Sequence, residues 1–332
     1  MRAVFLDFGS VSRNDLDCTL LEQAISPWRY HHNSLEQEVS QKIREAEVIV
    51  SNKVLVNRES IEAAPCLKLI CVAATGYNNV DLAAAAERNI AVCNVRNYAT
   101  PSVVQHVFLL MLSLSRHFID YQQLVKRGGW QSSQFFCPMD FPINELSGKT
   151  LGIIGYGVLG RAVAQVAQAF GMNVFIAEHK HATPRPGRVE FDTVIRQADF
   201  ITLHCPLSAE THHLIGQREL ALMKSSTYLI NTARGGLVNE ADLLDSLASE
   251  RIAGAAIDVV QQEPPTQDSL ILQSHLNNLI ITPHVAWASL ESRQRLLNLL
   301  AENIRNFLQH KPFNQIVDVF AESRGRRGSN GV

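Results

Sequence analysis

A glycine-rich turn in the middle of the chain constrains the fold more than any other feature. Its sequence, Gly155-Tyr156-Gly157-Val158-Leu159-Gly160, follows the apolar run 150–154 and opens a stretch of helical period over 161–170. Glycines at this spacing allow a tight turn, a close approach of the backbone to a pyrophosphate, and close packing of a helix on a sheet. The turn therefore predicts a dinucleotide site where a strand passes into a helix.

A carboxylate stands where such a site needs one. The apolar run 174–176 leads to Glu178, at about the ~20 residues beyond the turn where a carboxylate can accept hydrogen bonds from the adenosine ribose. Glu178 would repel a 2′-phosphate, so the sequence favours NAD(H). His179 and Lys180 come next, and either one turned inward would favour NADP(H), which leaves both cofactors open.

Short apolar runs alternate with stretches of helical period along the chain. This rhythm is typical of buried parallel strands joined by helices, and it predicts an α/β protein. A helix that starts at Thr100-Pro101, a long amphipathic helix over 289–310 and a last strand over 312–319 are also expected. The predicted strands are 3–6, 48–50, 68–72, 90–92, 150–154, 174–176, 200–203, 228–231, 254–257 and 279–281.

Composition narrows the domain count and the class of partner. The 332 residues, 46% of them hydrophobic, suffice for two ordinary domains. The formal net charge of −2 lacks the excess of Lys and Arg that nucleic-acid and membrane-surface proteins carry, so a small molecule is the expected partner. No signal peptide or membrane-spanning run is recognisable, which predicts a cytoplasmic protein. The six cysteines lack CxxC spacing, so we expect reduced core residues and no metal site.

Two segments fall outside the alternating pattern. The stretch from about 120 to 147 contains Gly128-Gly129, Trp130 and several aromatic residues without a clear period, and it predicts an apolar arm that packs on a second subunit of a homodimer. The tail 322–332 is rich in Arg, Gly and Ser and is expected to be disordered and solvated. Its arginines leave nucleic-acid binding as the alternative.

Charged or titratable side chains come shortly after three successive apolar runs of the second half, namely Arg234, Glu263 and His284. Alone, each is a common loop residue. Parallel strands end at one edge of a sheet, where open α/β proteins bind their ligands. A nicotinamide-dependent dehydrogenase needs a cation for an anionic substrate, a group that exchanges a proton with the substrate oxygen, and a group that orients it. Together the three residues therefore predict one redox site.

At these residues the chain resembles the D-isomer-specific 2-hydroxyacid dehydrogenase family over nearly its whole length. Its loop 73–81, Ala-Ala-Thr-Gly-Tyr-Asn-Asn-Val-Asp, is most similar to the glycerate dehydrogenase (hydroxypyruvate reductase) branch. The segments that carry the family resemblance are 151–160, His204-Cys205-Pro206-Leu207, Asn231-Thr232-Ala233-Arg234-Gly235-Gly236, Asp258-Val259 with Glu263-Pro264, and Thr282-Pro283-His284-Val285-Ala286-Trp287.

The resemblance implies a role for each site residue. Arg234 binds the substrate carboxylate and polarises the carbonyl, His284 is the acid/base, and Glu263 pairs with His284. Further substrate contacts are implied for Asn52 and for the backbone N–H groups around Thr75 and Gly76. The implied cofactor contacts are Gly155, Gly157, Val158, Leu159, Gly160, Glu178, His204, Cys205, Pro206, Thr211, Thr232, Ala233, Asp258, Trp287 and Val104.

The resemblance also implies the architecture and the reaction. A Rossmann-type doubly wound sheet over 100–288 is inserted into a flavodoxin-like α/β substrate domain made of 1–99 and 289–321, with catalysis in the cleft. The implied reaction is reversible reduction of a 2-keto acid by NAD(P)H, with hydroxypyruvate and D-glycerate as the expected pair. Glyoxylate, D-lactate and a 4-phosphoerythronate-like acid are alternatives, and an NAD(H)-sensing corepressor is the alternative of another class.

Overall fold

The computed structural model describes residues 1–311 and 313–317. The strands are β1 (Ala3–Phe5), β2 (Trp28–Tyr30), β3 (Val48–Ser51), β4 (Leu69–Val72), β5 (Ala91–Cys93), β6 (Thr150–Ile154), β7 (Asn173–Ile176), β8 (Phe200–Leu203), β9 (Tyr228–Asn231), β10 (Gly254–Ile257), β11 (Leu279–Ile281) and β12 (Gln315–Val317). The α-helices are α1 (Thr19–Ala24), α2 (Glu36–Ile43), α3 (Arg58–Glu62), α4 (Leu82–Glu87), α5 (Thr100–Ser115), α6 (Phe118–Lys126), α7 (Val158–Ala169), α8 (Phe191–Gln197), α9 (Gln217–Leu222), α10 (Glu240–Ala248), α11 (Leu270–Gln273) and α12 (Leu290–Leu308).

The chain divides into two compact units. The first comprises residues 1–99 and the described residues from Ala288 onward, and the second comprises residues 100–287. The predicted functions of the two domains stay predictions. The predicted disorder of 322–332 and the end of the strand predicted over 312–319 lie outside the described residues.

The first unit contains a six-stranded sheet in the order β12-β5-β4-β3-β1-β2. Strands β1 to β5 pair in parallel in the order 2-1-3-4-5 of flavodoxin-like proteins, and β12 adds an antiparallel edge. Strands β3 and β4 are buried along their whole length, because helices cover both faces of a parallel sheet. Strand β2 was not predicted, since Trp28-Arg29-Tyr30 is short, partly exposed and carries a charge.

The second unit contains an all-parallel sheet in the order β11-β10-β9-β8-β6-β7. The chain passes outward from β6 to β7 and then returns to place β8 on the other side of β6. In such sheets the change of direction opens a crevice at the carboxyl ends of the two central strands, here β6 and β8. Outside β7, Val189 adds a single parallel bridge to Ala177. This bridge closes the loop 178–188 against the sheet edge.

The predicted arm begins later than expected. Residues 118–126 form helix α6, because an amphipathic pattern continues after the bend that follows α5. The segment 127–149 has neither helix nor strand, and it exposes Phe135, Phe136 and Met139 by 73%, 93% and 84%. Over the described residues, α5 and α6 together have the length and hydropathy of a membrane span but bend by 61° at their junction, and no single helix meets that criterion.

All six cysteines are free thiols, and only two of them are fully buried. Cys71 and Cys93 face each other across β4 and β5 with their Sγ atoms 3.4 Å apart, and burial raises the pKa of the Cys71 thiol. Cys66 and Cys137 are exposed. The prediction of a core position is wrong for these two, because both lie in connecting segments outside the helices and strands.

Candidate active site and dinucleotide site

The glycine turn is held together by close backbone packing. Gly155 has a φ of +95°, and a Cβ atom at this position would lie 2.4 Å from the backbone N of Cys205. A Cβ on Gly160 would lie 2.2 Å from the carbonyl oxygen of Gly155, whereas a Cβ on Gly157 would meet no described atom within 4 Å. The turn therefore packs on the end of β8 and on the first turn of α7, and it leaves open space at Gly157.

That open space suits an anionic group. Helix α7 begins at Val158, directly after Gly157, so its first backbone N–H groups point out of the helix. Among the described residues, Thr232 Oγ1 and His204 Nδ1 are buried without a hydrogen-bond partner. Burial lowers the pKa of His204 to about 4, so its ring is neutral at neutral pH. These unpaired polar atoms, together with the turn, fit a dinucleotide.

Glu178 lies at the end of β7, as the sequence predicts, but its carboxylate is already engaged. It is buried, accepts from Arg185 Nε at 2.6 Å, and accepts from the backbone N atoms of His179 and Arg185 at 2.9 and 3.1 Å. The Arg185 side chain, which is 60% exposed, holds the pKa of Glu178 well below its usual range. The loop 178–188 thus turns the acceptor atoms of Glu178 toward its own backbone.

Two other cations belong to this loop. Lys180 pairs with Glu219 at 2.9 Å, so its charge is compensated within the unit. The guanidinium of Arg188 lies over the ring of Tyr156 in the glycine turn, 5.1 Å from the ring centre. The sequence draws attention to His179 and Lys180 but not to Arg185 and Arg188, whose only signal is the Arg-Pro-Gly-Arg sequence in the loop after β7.

Arg234 follows β9 on a turn that Asn231 shapes. Asn231 is buried, accepts from the backbone N of Ala233 at 3.1 Å, and donates to the carbonyl of Arg234 at 2.8 Å. A Cβ on Gly235 would lie 2.0 Å from the backbone of Val260. The Arg234 loop therefore packs directly on the loop that carries Glu263. The Arg234 side chain is exposed, and its guanidinium donates a hydrogen bond to the carbonyl of Ala233 at 2.7 Å.

Glu263 and His284 form a direct pair. Glu263 Oε2 and His284 Nδ1 are 2.6 Å apart, and Glu263 Oε1 accepts from the backbone N of Val260 at 3.0 Å. Because a carboxylate only accepts hydrogen bonds, Nδ1 carries the hydrogen and Nε2 is the nitrogen left for proton exchange. His284 has a φ of +53°, and its backbone N donates to the carbonyl of Asp258 at 2.7 Å.

Asp258 organises the segment around His284. Its carboxylate, which is 1% exposed, accepts from Thr282 Oγ1 at 2.6 Å and from the backbone N atoms of Val285 and Ala286, both at 2.9 Å. Asp258 was predicted to contact the cofactor, but the hydrogen bonds of its carboxylate are made within the protein. They fold residues 282–286 into the turn that presents His284.

The substrate contacts predicted in the first unit lie on loops after β3 and β4. The carbonyl of Thr75 accepts from Asn94 Nδ2 at 2.6 Å, and Thr75 Oγ1 donates to the carbonyl of Val95 at 3.0 Å. Asn52 is buried, and its backbone N donates to Asp7 at 2.9 Å while its side chain donates to Ser10 at 2.9 Å. Asp7 and Asn94 were not predicted, although each is the first polar residue after a buried run.

The remaining predicted cofactor contacts lie on the same loops and helices of the second unit. Thr211 Oγ1 donates to the carbonyl of Pro206 at 2.7 Å, which closes the loop after β8. Burial raises the pKa of Cys205 to about 11, so this thiol stays protonated. Val104 is buried on α5, and Trp287 is the last residue of the unit. Val158 and Leu159 begin α7, and Ala233 precedes Arg234.

Comparison with known proteins identifies the family of the chain. A family profile described as "D-isomer specific 2-hydroxyacid dehydrogenase, NAD binding domain" matches residues 108–286. Glycerate dehydrogenase of Methylorubrum extorquens is 43% identical over 322 residues, which cover 95% of this chain and 98% of that protein. Hydroxypyruvate reductase of Blautia hydrogenotrophica is 38% identical over 323 residues, which cover 95% and 99%. The structure of D-lactate dehydrogenase from Aquifex aeolicus, complexed with NAD and lactic acid, superposes with a TM-score of 0.81 at 26% identity, covering 95% and 99%.

The chain belongs to the D-isomer-specific 2-hydroxyacid dehydrogenase family. It is an oxidoreductase that acts on a small 2-hydroxy or 2-keto acid, and it contains a Rossmann-type NAD-binding domain. The predicted resemblance to the glycerate dehydrogenase and hydroxypyruvate reductase branch is confirmed, as is the predicted α/β fold class.

Proposed function

We propose that this dehydrogenase interconverts hydroxypyruvate and D-glycerate. The observation that carries this proposal is the similarity to a glycerate dehydrogenase, which extends over 95% of the chain and therefore includes both units. When bound, a reduced nicotinamide supplies the hydride that reduces C2 of a 2-keto acid. The protein must then supply a proton for the carbonyl oxygen, a cation for the carboxylate, and an environment that orients both.

The proton is assigned to His284. In the reducing direction the ring starts as imidazolium and transfers its Nε2 proton to the carbonyl oxygen of the substrate. In the oxidising direction the neutral ring accepts the hydroxyl proton at Nε2, while its Nδ1–H stays bonded to Glu263 at 2.6 Å. Glu263 is in turn fixed by the backbone N of Val260, so the imidazole is held in one orientation.

The substrate carboxylate is assigned to Arg234. A guanidinium binds a carboxylate through two parallel N–H groups, which gives both charge and orientation, and the exposed side chain of Arg234 offers such a group after β9. In the first unit, the backbone N–H groups around Thr75 and Gly76 are assigned as further donors to the substrate. The hydrogen bond from Asn94 to the carbonyl of Thr75 fixes the position of this loop. Asn52 is assigned a substrate contact from the loop after β3, which its hydrogen bonds to Asp7 and Ser10 hold in place.

This assignment predicts a substrate ranking. With purified protein and NADH, hydroxypyruvate gives the highest kcat/KM in a panel with glyoxylate, pyruvate and 2-ketobutyrate, measured as the loss of NADH absorbance. A higher kcat/KM for pyruvate would reject hydroxypyruvate as the substrate while keeping the reaction class. No turnover of any of the four acids would contradict the dehydrogenase and favour the corepressor alternative.

We propose NAD(H) as the main cofactor and NADP(H) as an accepted one. Glu178 at the end of β7 is the residue type that favours NAD(H) at this position. Its negative charge is compensated by Arg185, which reduces the repulsion that a 2′-phosphate would otherwise meet. The balance between the two cofactors therefore depends on this ion pair.

The cofactor proposal predicts the effect of Arg185→Ala. Removal of the guanidinium leaves the Glu178 charge uncompensated, so the KM for NADPH rises relative to that for NADH by roughly two- to five-fold, the range of an ion pair whose cation is open to solvent. The matched control is Arg196→Ala, which removes an exposed cation from α8. An unchanged ratio of the two KM values would contradict the proposed role of the ion pair.

We propose that the protein is a homodimer and that the segment 127–149 forms part of its interface. This segment exposes Trp130, Phe135, Phe136 and Met139, and a monomeric protein rarely leaves such an apolar cluster in water. Burial of these side chains against a second copy would remove the cluster from solvent. The fold of the segment itself is held in part by a hydrogen bond from Trp130 Nε1 to the carbonyl of Phe136, 2.9 Å long.

The homodimer proposal predicts that Phe136→Asp weakens association. Light scattering after size-exclusion chromatography is expected to give the mass of two chains for the wild type and a shift toward one chain for Phe136→Asp, because the interface cannot bury the new charge without a partner. Leu270→Asp, which alters another exposed apolar residue on α11, is the matched control and stays dimeric. A wild-type protein with the mass of one chain would contradict the proposal.

A further inference from the structure

Two polar side chains on α5 bind both ends of the segment that carries His284. Ser102 and His106 are four residues apart, so they share one face of a largely apolar helix. Ser102 Oγ donates to the carbonyl of Ala286 at 2.6 Å, and His106 Nε2 lies 3.0 Å from Thr282 Oγ1. All these residues belong to the second unit. The segment 282–286 is thus held against α5 at its first and last residues.

The direction of the bond between His106 and Thr282 follows from the partner of Thr282. Thr282 Oγ1 has a single hydrogen, which it donates to the Asp258 carboxylate at 2.6 Å, because a carboxylate has no hydrogen to give. The same oxygen must therefore accept from His106, whose Nε2 carries the hydrogen. Burial lowers the pKa of His106, while the charge of Asp258, 3.5 Å away, acts in the opposite direction.

These bonds form a continuous chain from α5 to the catalytic segment. His106 donates to Thr282, Thr282 donates to Asp258, and Asp258 accepts from the backbone N atoms of Val285 and Ala286. Between these fixed points, His284 has a φ of +53°, which a residue with a side chain adopts at a cost. Such a conformation persists only where the surrounding bonds determine it fully.

We propose that His106 is a positioning residue for His284. It holds Thr282 in the orientation that completes the bonds of Asp258, and Ser102 holds the other end of the segment. His106 acts through the backbone of the segment, and its function is to keep His284 aligned with the reacting oxygen. The inference rests on the proposed role of His284 as the acid/base.

A positioning role affects the chemical step more than binding. Misplacement of a catalytic group by about 1 Å can cost roughly 10²-fold in rate. His106→Leu removes the donor and leaves Thr282 with an unpaired acceptor, so kcat is expected to fall by roughly ten- to a hundred-fold on the same argument. The KM for hydroxypyruvate and the Kd for NADH stay close to those of the wild type, because the variant leaves Arg234 and the glycine turn unchanged.

The experiment compares three single variants by steady-state kinetics and by the quenching of protein fluorescence on titration with NADH. His106→Leu removes the donor, His106→Gln retains an N–H group on a side chain of similar reach, and Gln105→Leu places the same apolar residue at the neighbouring exposed position of α5. The expected result is a low kcat for His106→Leu, a kcat largely restored in His106→Gln, and an unaffected Gln105→Leu. This pattern separates positioning from a general loss of stability.

A double-mutant cycle with Thr282→Val tests the proposed chain of bonds. If both residues act through Asp258, the double variant His106→Leu/Thr282→Val loses little more than the worse single variant, whereas independent residues give additive losses. Additive losses, a wild-type kcat in His106→Leu, or a low kcat that His106→Gln does not restore would overturn the inference. Full activity in His284→Ala would instead overturn the proposed function, so the two failures are distinguishable.

Discussion

The buried carboxylate of Asp258 is the interaction on which the catalytic half of the molecule depends. Removing a carboxylate from water costs several kcal/mol unless hydrogen bonds replace its hydration. Here the donors come from Thr282, Val285 and Ala286, all within one short segment after β11. The need to satisfy one charge at the end of β10 therefore folds the neighbouring segment into a defined turn. His284 is presented from that turn, and its backbone N adds a further bond to the carbonyl of Asp258.

Steric constraints at two glycines complete the site. Gly155 lets the turn after β6 touch the backbone after β8, and Gly235 lets the loop of Arg234 touch the backbone before Glu263. Neither position has room for a Cβ atom. Loops that leave neighbouring strands are thus nested at one edge of the parallel sheet, with the open space at Gly157 on one side and the Glu263–His284 pair on the other. The parallel sheet provides this arrangement because all its strands end at the same edge.

The features that the sequence predicts well are those with a local physical signal. The buried strands are apolar runs of strand length, and the glycine turn has a spacing that few other structures require. Arg234, Glu263 and His284 are predicted as one site because each follows a strand of one sheet, and the structure places Glu263 beside His284. The pairing of Glu178 with Arg185 could not be predicted, since it depends on how the loop 178–188 folds back on the sheet edge. His106 was missed because a histidine on an apolar helix has no distinguishing pattern until its partners on a distant loop are known.

We propose that His284, oriented by Glu263, exchanges the proton that accompanies hydride transfer. The most direct test is His284→Ala, measured with hydroxypyruvate and NADH beside the surface variant His275→Ala, which removes an exposed imidazole from the same unit. We expect kcat to fall by about 10²- to 10⁴-fold in His284→Ala, the usual contribution of a general acid/base. NADH binding and the activity of His275→Ala should both be retained. A kcat for His284→Ala close to that of the wild type would show that the acid/base lies elsewhere.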